Sequence, residues 1–412
     1  MQNTASARPA VNSGRRAKKQ KKQKDPNRIR FIDLSGRVDI PMLIITLVLL
    51  TFGITMMFSA GHALSYRENG GDSYAFATKQ MKAAGLGLIF MFLASMFDYR
   101  LLRHQFHPFH GKIKFTFAPI FFVITLAMTA ACIPFGVSNT DDGPRRWLRV
   151  PVFGTFQPSD FLKVGLIIFL AYYIHKNSDQ MRRMMVGVVK PMLPVALICY
   201  LMYKQPHLSG LLIMLGISVA MLFIGGMNWK PFIPFVIAFG AILAVMFLTS
   251  EFTYFGDRFK YMDPLSDPGN KSYQSYQAAL AVGSGGLWGV GFGNSSQKYY
   301  YLPEAQNDFV YAVLCEEFGF VGGLVVILLF LVFVLRGFYI ARQAEDKFGM
   351  LLATGISLQV GIQALLNIGV NVFVIPNTGV SLPFFSYGGT ALLVQLVEVG
   401  LLLSVSKRAK LN

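Results

Sequence analysis

Apolar residues along this chain fall into long, nearly unbroken runs, without the alternation of a half-buried strand or the one-sided stripe of a surface helix. Such runs suit a bilayer, because about 20 helical residues cover the roughly 30 Å of hydrocarbon. They lie near 40–61, 83–97, 115–135, 158–174, 191–204, 208–226, 231–249, 309–335, 350–373 and 390–406. The pattern predicts an all-α polytopic integral membrane protein of about ten transmembrane helices, with residues 40–406 as the membrane domain. Pro206 interrupts 191–226, which reads either as two spans or as one span and a re-entrant piece. Between the seventh and eighth runs, the long connection 250–308 is the one region with room for structure outside the bilayer, and it is placed on the extracellular side.

Composition agrees with the pattern: 53% of residues are hydrophobic and 14% charged. The net charge of +17 does not point to nucleic acid, because the basic residues concentrate beside a span. Residues 1–39 carry eleven Lys or Arg, with GRRAKKQKKQK at 14–24, and are expected to be a disordered cytoplasmic tail drawn to anionic membrane lipids. No small-residue cleavage site precedes the first run, so the tail is expected to stay on the chain. Lys and Arg favour a topology with both termini, the second being 407–412, on the cytoplasmic side. Cys132, Cys199 and Cys315 all lie in apolar runs, where neither a disulfide nor a cysteine-ligated metal is expected.

Polar residues at membrane depth are costly unless they face a partner or a cavity, so they mark the places to look for chemistry. In SNTDDGPRRWLRVPVFGTFQPSDFLK at 138–163, Arg145, Arg146 and Arg149 form a basic rim, Pro158 suits a first helical turn, and Asp160 and Lys163 stand one turn apart, close enough to pair. Gln205, Pro206 and His207 mark a helix break, with His207 read first as a structural residue. The glycine run GSGGLWGVGFG at 283–293 follows no strand of a nucleotide-binding unit; it permits close backbone packing. Tyr273, Tyr276, Trp288 and Tyr299 to Tyr301 suit the headgroup layer. Asp308 stands at the outer mouth of a span, where a carboxylate can be tuned as a general base. Glu304 precedes it at a proline turn, and Glu316 and Glu317 lie deeper and must pair or face a cavity. The segment VIPNTGVSLPFFSYGGT at 374–390, which includes Ser386, is irregular enough to roof a cavity.

YLPEAQNDFVYAVLCEEFGFVGG at 301–323 and IPNTGVSLPFFSYGGT at 375–390 resemble the signatures of the SEDS peptidoglycan polymerases, and RRWLRVPVFGTFQPSDFLK at 145–163 extends the match. QKYYYLPE at 297–304 is more similar to the FtsW branch or its sporulation relative than to RodA. The sequence departs from the family pattern at Asp160, where Glu is frequent, at His207, where Asp is frequent, and at Asn307, where Thr is frequent.

The resemblance implies ten spans, an extracellular Asp308, and polymerisation of lipid II into glycan strands during cell division. The 4-hydroxyl of one lipid-linked GlcNAc attacks the anomeric carbon of MurNAc in another, with inversion, and undecaprenyl pyrophosphate leaves. Asp308 is then the base, and Arg145, Arg146, Lys163, Arg258 and Lys298 are candidates to bind the pyrophosphate. Asp160, Glu304, Glu316, Glu317 and Ser386 are the polar residues expected to build the pocket. No cofactor is required by the sequence; a divalent cation can assist, though no metal-ligand spacing demands one. The implied partners are a class B penicillin-binding protein, other divisome proteins and membrane lipids. The competing readings are a flippase for the same precursor and a non-catalytic divisome scaffold.

Overall fold

A computed structural model describes residues 31–32, 36–106, 115–138, 143–150, 154–230, 233, 262–265, 267 and 272–410. The expected seventh span, the basic stretch 1–30 and Arg258 lie outside the described residues. The described residues are mostly helical. The helices are α1 (Ile40–Ala60), α2 (His62–Glu68), α3 (Ala75–Met96), α4 (Phe117–Phe135), α5 (Pro158–Lys176), α6 (Lys190–Lys204), α7 (Leu208–Ile224), α8 (Tyr273–Ser284), α9 (Val310–Gln343), α10 (Lys347–Asn371) and α11 (Gly389–Ser406). Two short antiparallel ribbons decorate the bundle, Gln105–Phe106 with Phe115–Thr116 and Leu148–Val150 with Gly154–Phe156.

Six helical segments, α1, α4, Met185–Lys204, α9, α10 and α11, are long and apolar enough to cross a membrane by length and composition alone. Helices α3, α5 and α7 carry more polar residues or are shorter, but their end contacts tie them to the same two faces. One face is a network of charges. Asp39 caps α1 by accepting from Met42 N–H at 2.8 Å and also binds Arg336 near the end of α9. Arg103 binds Asp346 at the start of α10, Arg408 after α11 reaches Asp98 after α3, and Ser406 accepts from Asp39 N–H. The first and last helices of the membrane domain therefore have their free ends on one face, which requires an even number of crossings between them.

The opposite face carries residues 295–308 and the segment 372–388. Ser209 at the start of α7 donates to Gly379 there, whereas Lys347 holds the Gly225 carbonyl, just beyond α7, on the charged face. Gln274 of α8 bonds to Pro303 and Asn377 on the far side. Gly225 and Gln274 therefore lie on opposite faces.

Segment 191–226 resolves as two helices, α6 and α7, parted at Gln205 to His207. Arg146 closes that break: its guanidinium donates to the Gln205 carbonyl at 3.0 Å and to the Pro206 carbonyl, while Gln205 donates to Thr129 of α4 at 2.7 Å. The helix ends leave such carbonyls unpaired, and a fork of guanidinium donors fits two of them at once. Helices α3 and α11 pack along each other closely because Gly400 brings its backbone against Met91, where an added Cβ would lie 2.4 Å from the Met91 carbonyl oxygen.

The eighth run is not one uninterrupted helix. Gly319 interrupts α9 with φ 67° and ψ −167°, a conformation open to glycine and strained for other residues. The glycine-rich segment after α8 inserts there: Val290 and Gly291 N–H donate to the carbonyls of Glu316 and Glu317, and Phe320 and Val321 N–H donate to Gly286 and Leu287. The break in one helix is thus filled by the backbone of a neighbouring loop, which pairs four of the helix's peptide groups there. Close packing of the glycine run was expected against the membrane surface; its backbone packs against α9.

Candidate functional site

Asp308 lies one residue before Phe309, which leads into α9, in a turn built by Glu304. Glu304 adopts φ 57°, its carbonyl accepts from the N–H groups of Asn307 and Phe309, and its carboxylate accepts from the Asn307 amide. Glu304 thus organises the turn through its backbone and its carboxylate. The Asp308 side chain is half-buried, with Oδ2 facing Gly379 of the roof segment. An added Cβ at Gly379 would lie 3.4 Å from that oxygen.

The Asp308 main chain is held by two asparagines that sequence reasoning missed. Asn367 and Asn371, one turn apart on α10, donate to the Asp308 carbonyl at 2.8 and 3.0 Å. Asn367 also donates to Val380, and Asn371 accepts from Ala312 N–H in the first turn of α9. Both side chains are fully buried, so each pair satisfies groups that would otherwise be orphaned. A signal was present in the chain: Gln359, Gln363, Asn367 and Asn371 recur every fourth residue through an otherwise apolar span. Four amides at that spacing form one stripe on a helix, about 18 Å long at 1.5 Å per residue.

The roof binds this stripe and the Asp308 turn together. Ser386 donates to the Asn307 carbonyl and accepts from Leu382 N–H, while Tyr387 N–H donates to the Gln306 carbonyl. Gln80 of α3 donates to the Ser386 carbonyl and accepts from Gly388 N–H. Burial, followed by the charge of Glu68, raises the Tyr387 phenol above its usual range and keeps it neutral.

Beneath the roof lies a cavity of about 30 Å³ lined by Asp160, Lys163, Gln359, Gln363, Ser381 and Glu398 among others. Lys163 and Asp160 pair at 3.0 Å, as the one-turn spacing predicted, and Lys163 reaches Gln363 at 3.5 Å. Gln363 in turn donates to Ser381. Three consecutive roof residues, Gly379, Val380 and Ser381, therefore link Asp308, Asn367 and the Lys163–Gln363 pair. This is the arrangement that brings a carboxylate and a cation under one strand of irregular backbone.

Two of the expected pyrophosphate ligands are committed elsewhere. Lys298 is buried, with its ammonium bound to Glu317 at 3.0 Å, to Ser59 at 2.9 Å and to the Gly293 carbonyl. Arg146 holds the α6–α7 break. Arg145 is exposed on the connection before α5. Glu316 accepts from Ser295 and from Ser296 N–H, so the two adjacent acids tie the loop after the glycine run to α9. Their pairing is structural, as their depth required. Cys132, Cys199 and Cys315 are free thiols.

Comparison with known proteins decides the family. A family model described as "Cell cycle protein", FTSW_RODA_SPOVE, matches residues 40–411. This chain belongs to the FtsW/RodA/SpoVE family. Stage V sporulation protein E of Bacillus subtilis is 36% identical over 382 residues, covering 90% of this chain and 98% of that protein. A probable peptidoglycan glycosyltransferase FtsW of Geobacter metallireducens is 35% identical over 375 residues, covering 91% and 96%. Among solved structures, a chain from a study of polymerization and crosslinking by a peptidoglycan synthase complex superposes with a TM-score of 0.73 at 24% identity, covering 91% of this chain and 99% of that one. The rod shape determining protein RodA of Thermus thermophilus superposes with a TM-score of 0.63 at 24% identity, covering 91% and 98%. The likeness shows a RodA-like fold, and with it the largely helical, multi-pass membrane architecture expected from the apolar runs.

Proposed function

We propose that this family member is a peptidoglycan glycosyltransferase that polymerises lipid II at the outer face of the bacterial plasma membrane. The observation that carries the reading is the placement of Asp308: half-buried at the mouth of α9, facing Gly379 of the roof, with its main chain clamped by Asn367 and Asn371. A carboxylate so held is preorganised without being sealed from substrate, which is what a general base needs. The relatives named as probable peptidoglycan glycosyltransferases support the reaction class.

In this reaction Asp308 accepts the proton of the acceptor GlcNAc 4-hydroxyl as that oxygen attacks the donor MurNAc anomeric carbon. The anomeric C–O bond to undecaprenyl pyrophosphate breaks on the opposite side, so the configuration inverts. Lys163, joined to the roof through Gln363, and the exposed Arg145 supply positive charge for the leaving group; Arg258 is a further candidate outside the described residues. The charged face, with the ends of α1 and α11, is the cytoplasmic one, since its basic clusters follow the bias of inner loops. A class B penicillin-binding protein is the expected partner, supported by the likeness to a chain from a synthase complex that couples polymerization to crosslinking. The role in division follows the FtsW-named relatives.

The test is polymerisation of lipid II by the purified protein with its cognate transpeptidase in detergent, where transport has no meaning. Asp308→Asn keeps the shape but cannot take the proton, and its turnover is expected to fall by a factor of about 10² or more with melting temperature and partner binding retained. Near-parental polymerisation by this variant would return the flippase and scaffold readings to the front.

A further inference from the structure

The inner end of the amide stripe holds a feature that the proposed reaction does not use. Gln359 lies midway along α10 and Glu398 near the middle of α11; both are buried, Glu398 with no exposed surface. Gln359 donates its amide N–H to one Glu398 oxygen at 2.8 Å. The other Glu398 oxygen and the Gln359 carbonyl oxygen are both buried and have no hydrogen-bond partner. Two unpaired acceptors thus accompany the same side-chain pair, beside the cavity that both residues line.

The charges around them make the need more specific. The ionisable groups lining the cavity are Asp160 and Lys163 from α5, Glu398 from α11 and Tyr387 from the roof. Lys163 is bonded to Asp160 and Tyr387 is neutral, so among the described residues no cation forms an ion pair with the Glu398 carboxylate. An isolated carboxylate at mid-membrane is costly, and one amide donor does not offset the loss of water. Both orphaned atoms are oxygens, the ligands that a proton or a hard cation accepts. The cavity has room for one such ion with one or two waters. No group of three or more His, Cys, Asp or Glu that would hold a metal ion occurs among the described residues, and one uncompensated negative charge calls for one positive charge.

We propose that Glu398 and Gln359 form a membrane-buried site for a single monovalent positive charge, shared between the Glu398 carboxylate and the Gln359 carbonyl oxygen. Its two sources are a proton, held as a carboxylic acid that donates to the amide, and an alkali cation. No proton transfer of the reaction assigned to Asp308 passes through the site. It sits below the same roof, because Ser381, Leu382 and Phe384 line the cavity and Gln395, one turn before Glu398, accepts from Phe384 N–H.

The full-length protein, purified in detergent, is examined by infrared spectroscopy and by thermal melting at pH 6 and pH 9, in sodium, potassium or choline chloride of equal ionic strength. A carbonyl stretch of a buried carboxylic acid, present in the parent and lost in Glu398→Gln, identifies the proton. A melting temperature raised by several degrees in sodium or potassium over choline at pH 9, and unchanged by salt in Glu398→Gln, identifies the alkali cation. A parent protein with neither the acid band nor any response to sodium or potassium overturns the proposal, and that arm depends on no variant folding.

Discussion

Lys298 was a candidate for the leaving pyrophosphate by charge and position, and its surroundings predict a different outcome when it is removed. Lys298→Ala deletes an ammonium with three partners, the Glu317 carboxylate, the Ser59 hydroxyl and the Gly293 carbonyl. The side chains of Lys298 and Glu317 are 2% and 0% exposed, so the acid left behind cannot regain water. Removing one partner of a buried ion pair costs about 3–5 kcal/mol, a large share of the 5–15 kcal/mol that holds a typical domain together. Lys298→Ala should therefore lower the melting temperature sharply, and activity should fall with the folded fraction. Lys298→Met combined with Glu317→Gln removes both charges, and should melt well above Lys298→Met alone, with a coupling in the cycle built on these two substitutions of about 1–3 kcal/mol. Melting by intrinsic fluorescence in detergent, run beside lipid II polymerisation, reads both quantities. A Lys298→Ala protein that melts like the parent but does not polymerise would refute the structural assignment and place the ammonium on the substrate.

Two other substitutions test how the site is built. Asn371→Ala removes a donor to the Asp308 carbonyl and the acceptor of Ala312 N–H; it should cost about 1–3 kcal/mol in a melting assay and lower kcat more than it raises KM, because the base is displaced and not lost. Gly319→Ala forces a side chain into a left-handed backbone with its Cβ 2.4 Å from Gly289 N, so it should destabilise the protein by more than about 1 kcal/mol and open the α8–α9 loop to protease, read by limited digestion.

How much of this was legible in the chain depended on whether the signal was local. The apolar runs located nine of the described helices, six of them in segments long and apolar enough to cross a membrane, with ends that differ by up to eight residues, and the Asp160–Lys163 pair followed from one helical turn, because both depend on neighbours in sequence. The break in α9 was not read, because EEFGFVGG looks helical from its flanks and Gly319 departs from the helix only to accept the backbone of a loop about thirty residues earlier. Lys298 and Arg146 were assigned by charge and by position along the chain. Their partners, Glu317 and the Gln205 and Pro206 carbonyls, lie on other helices, and no sequence spacing links them. The amide stripe on α10 was legible in principle. It passed unnoticed because uncharged side chains hardly disturb the hydropathy of a span, although each buried amide needs a partner as surely as a charge does.

That stripe also explains why so irregular a roof can hold a reactive carboxylate in place. Residues 372–388 lack regular secondary structure over most of their length, so their peptide groups depend on side chains from elsewhere. Gln363 takes Ser381, Asn367 takes Val380, Gln395 takes the Phe384 N–H, and Gln80 takes both Ser386 and Gly388. Each is an amide fixed on a helix, and amides supply donor and acceptor without adding charge at membrane depth. Their positions on α3, α10 and α11 make the roof a joint among three helices, and Asn367 and Ser386 extend it to the backbone of Asn307 and Asp308. A shift of α10 against α11 would therefore move the roof and the Asp308 turn together. The Gln359–Glu398 bond lies across that same helix pair, so a charge bound there stabilises the packing on which the geometry of Asp308 depends.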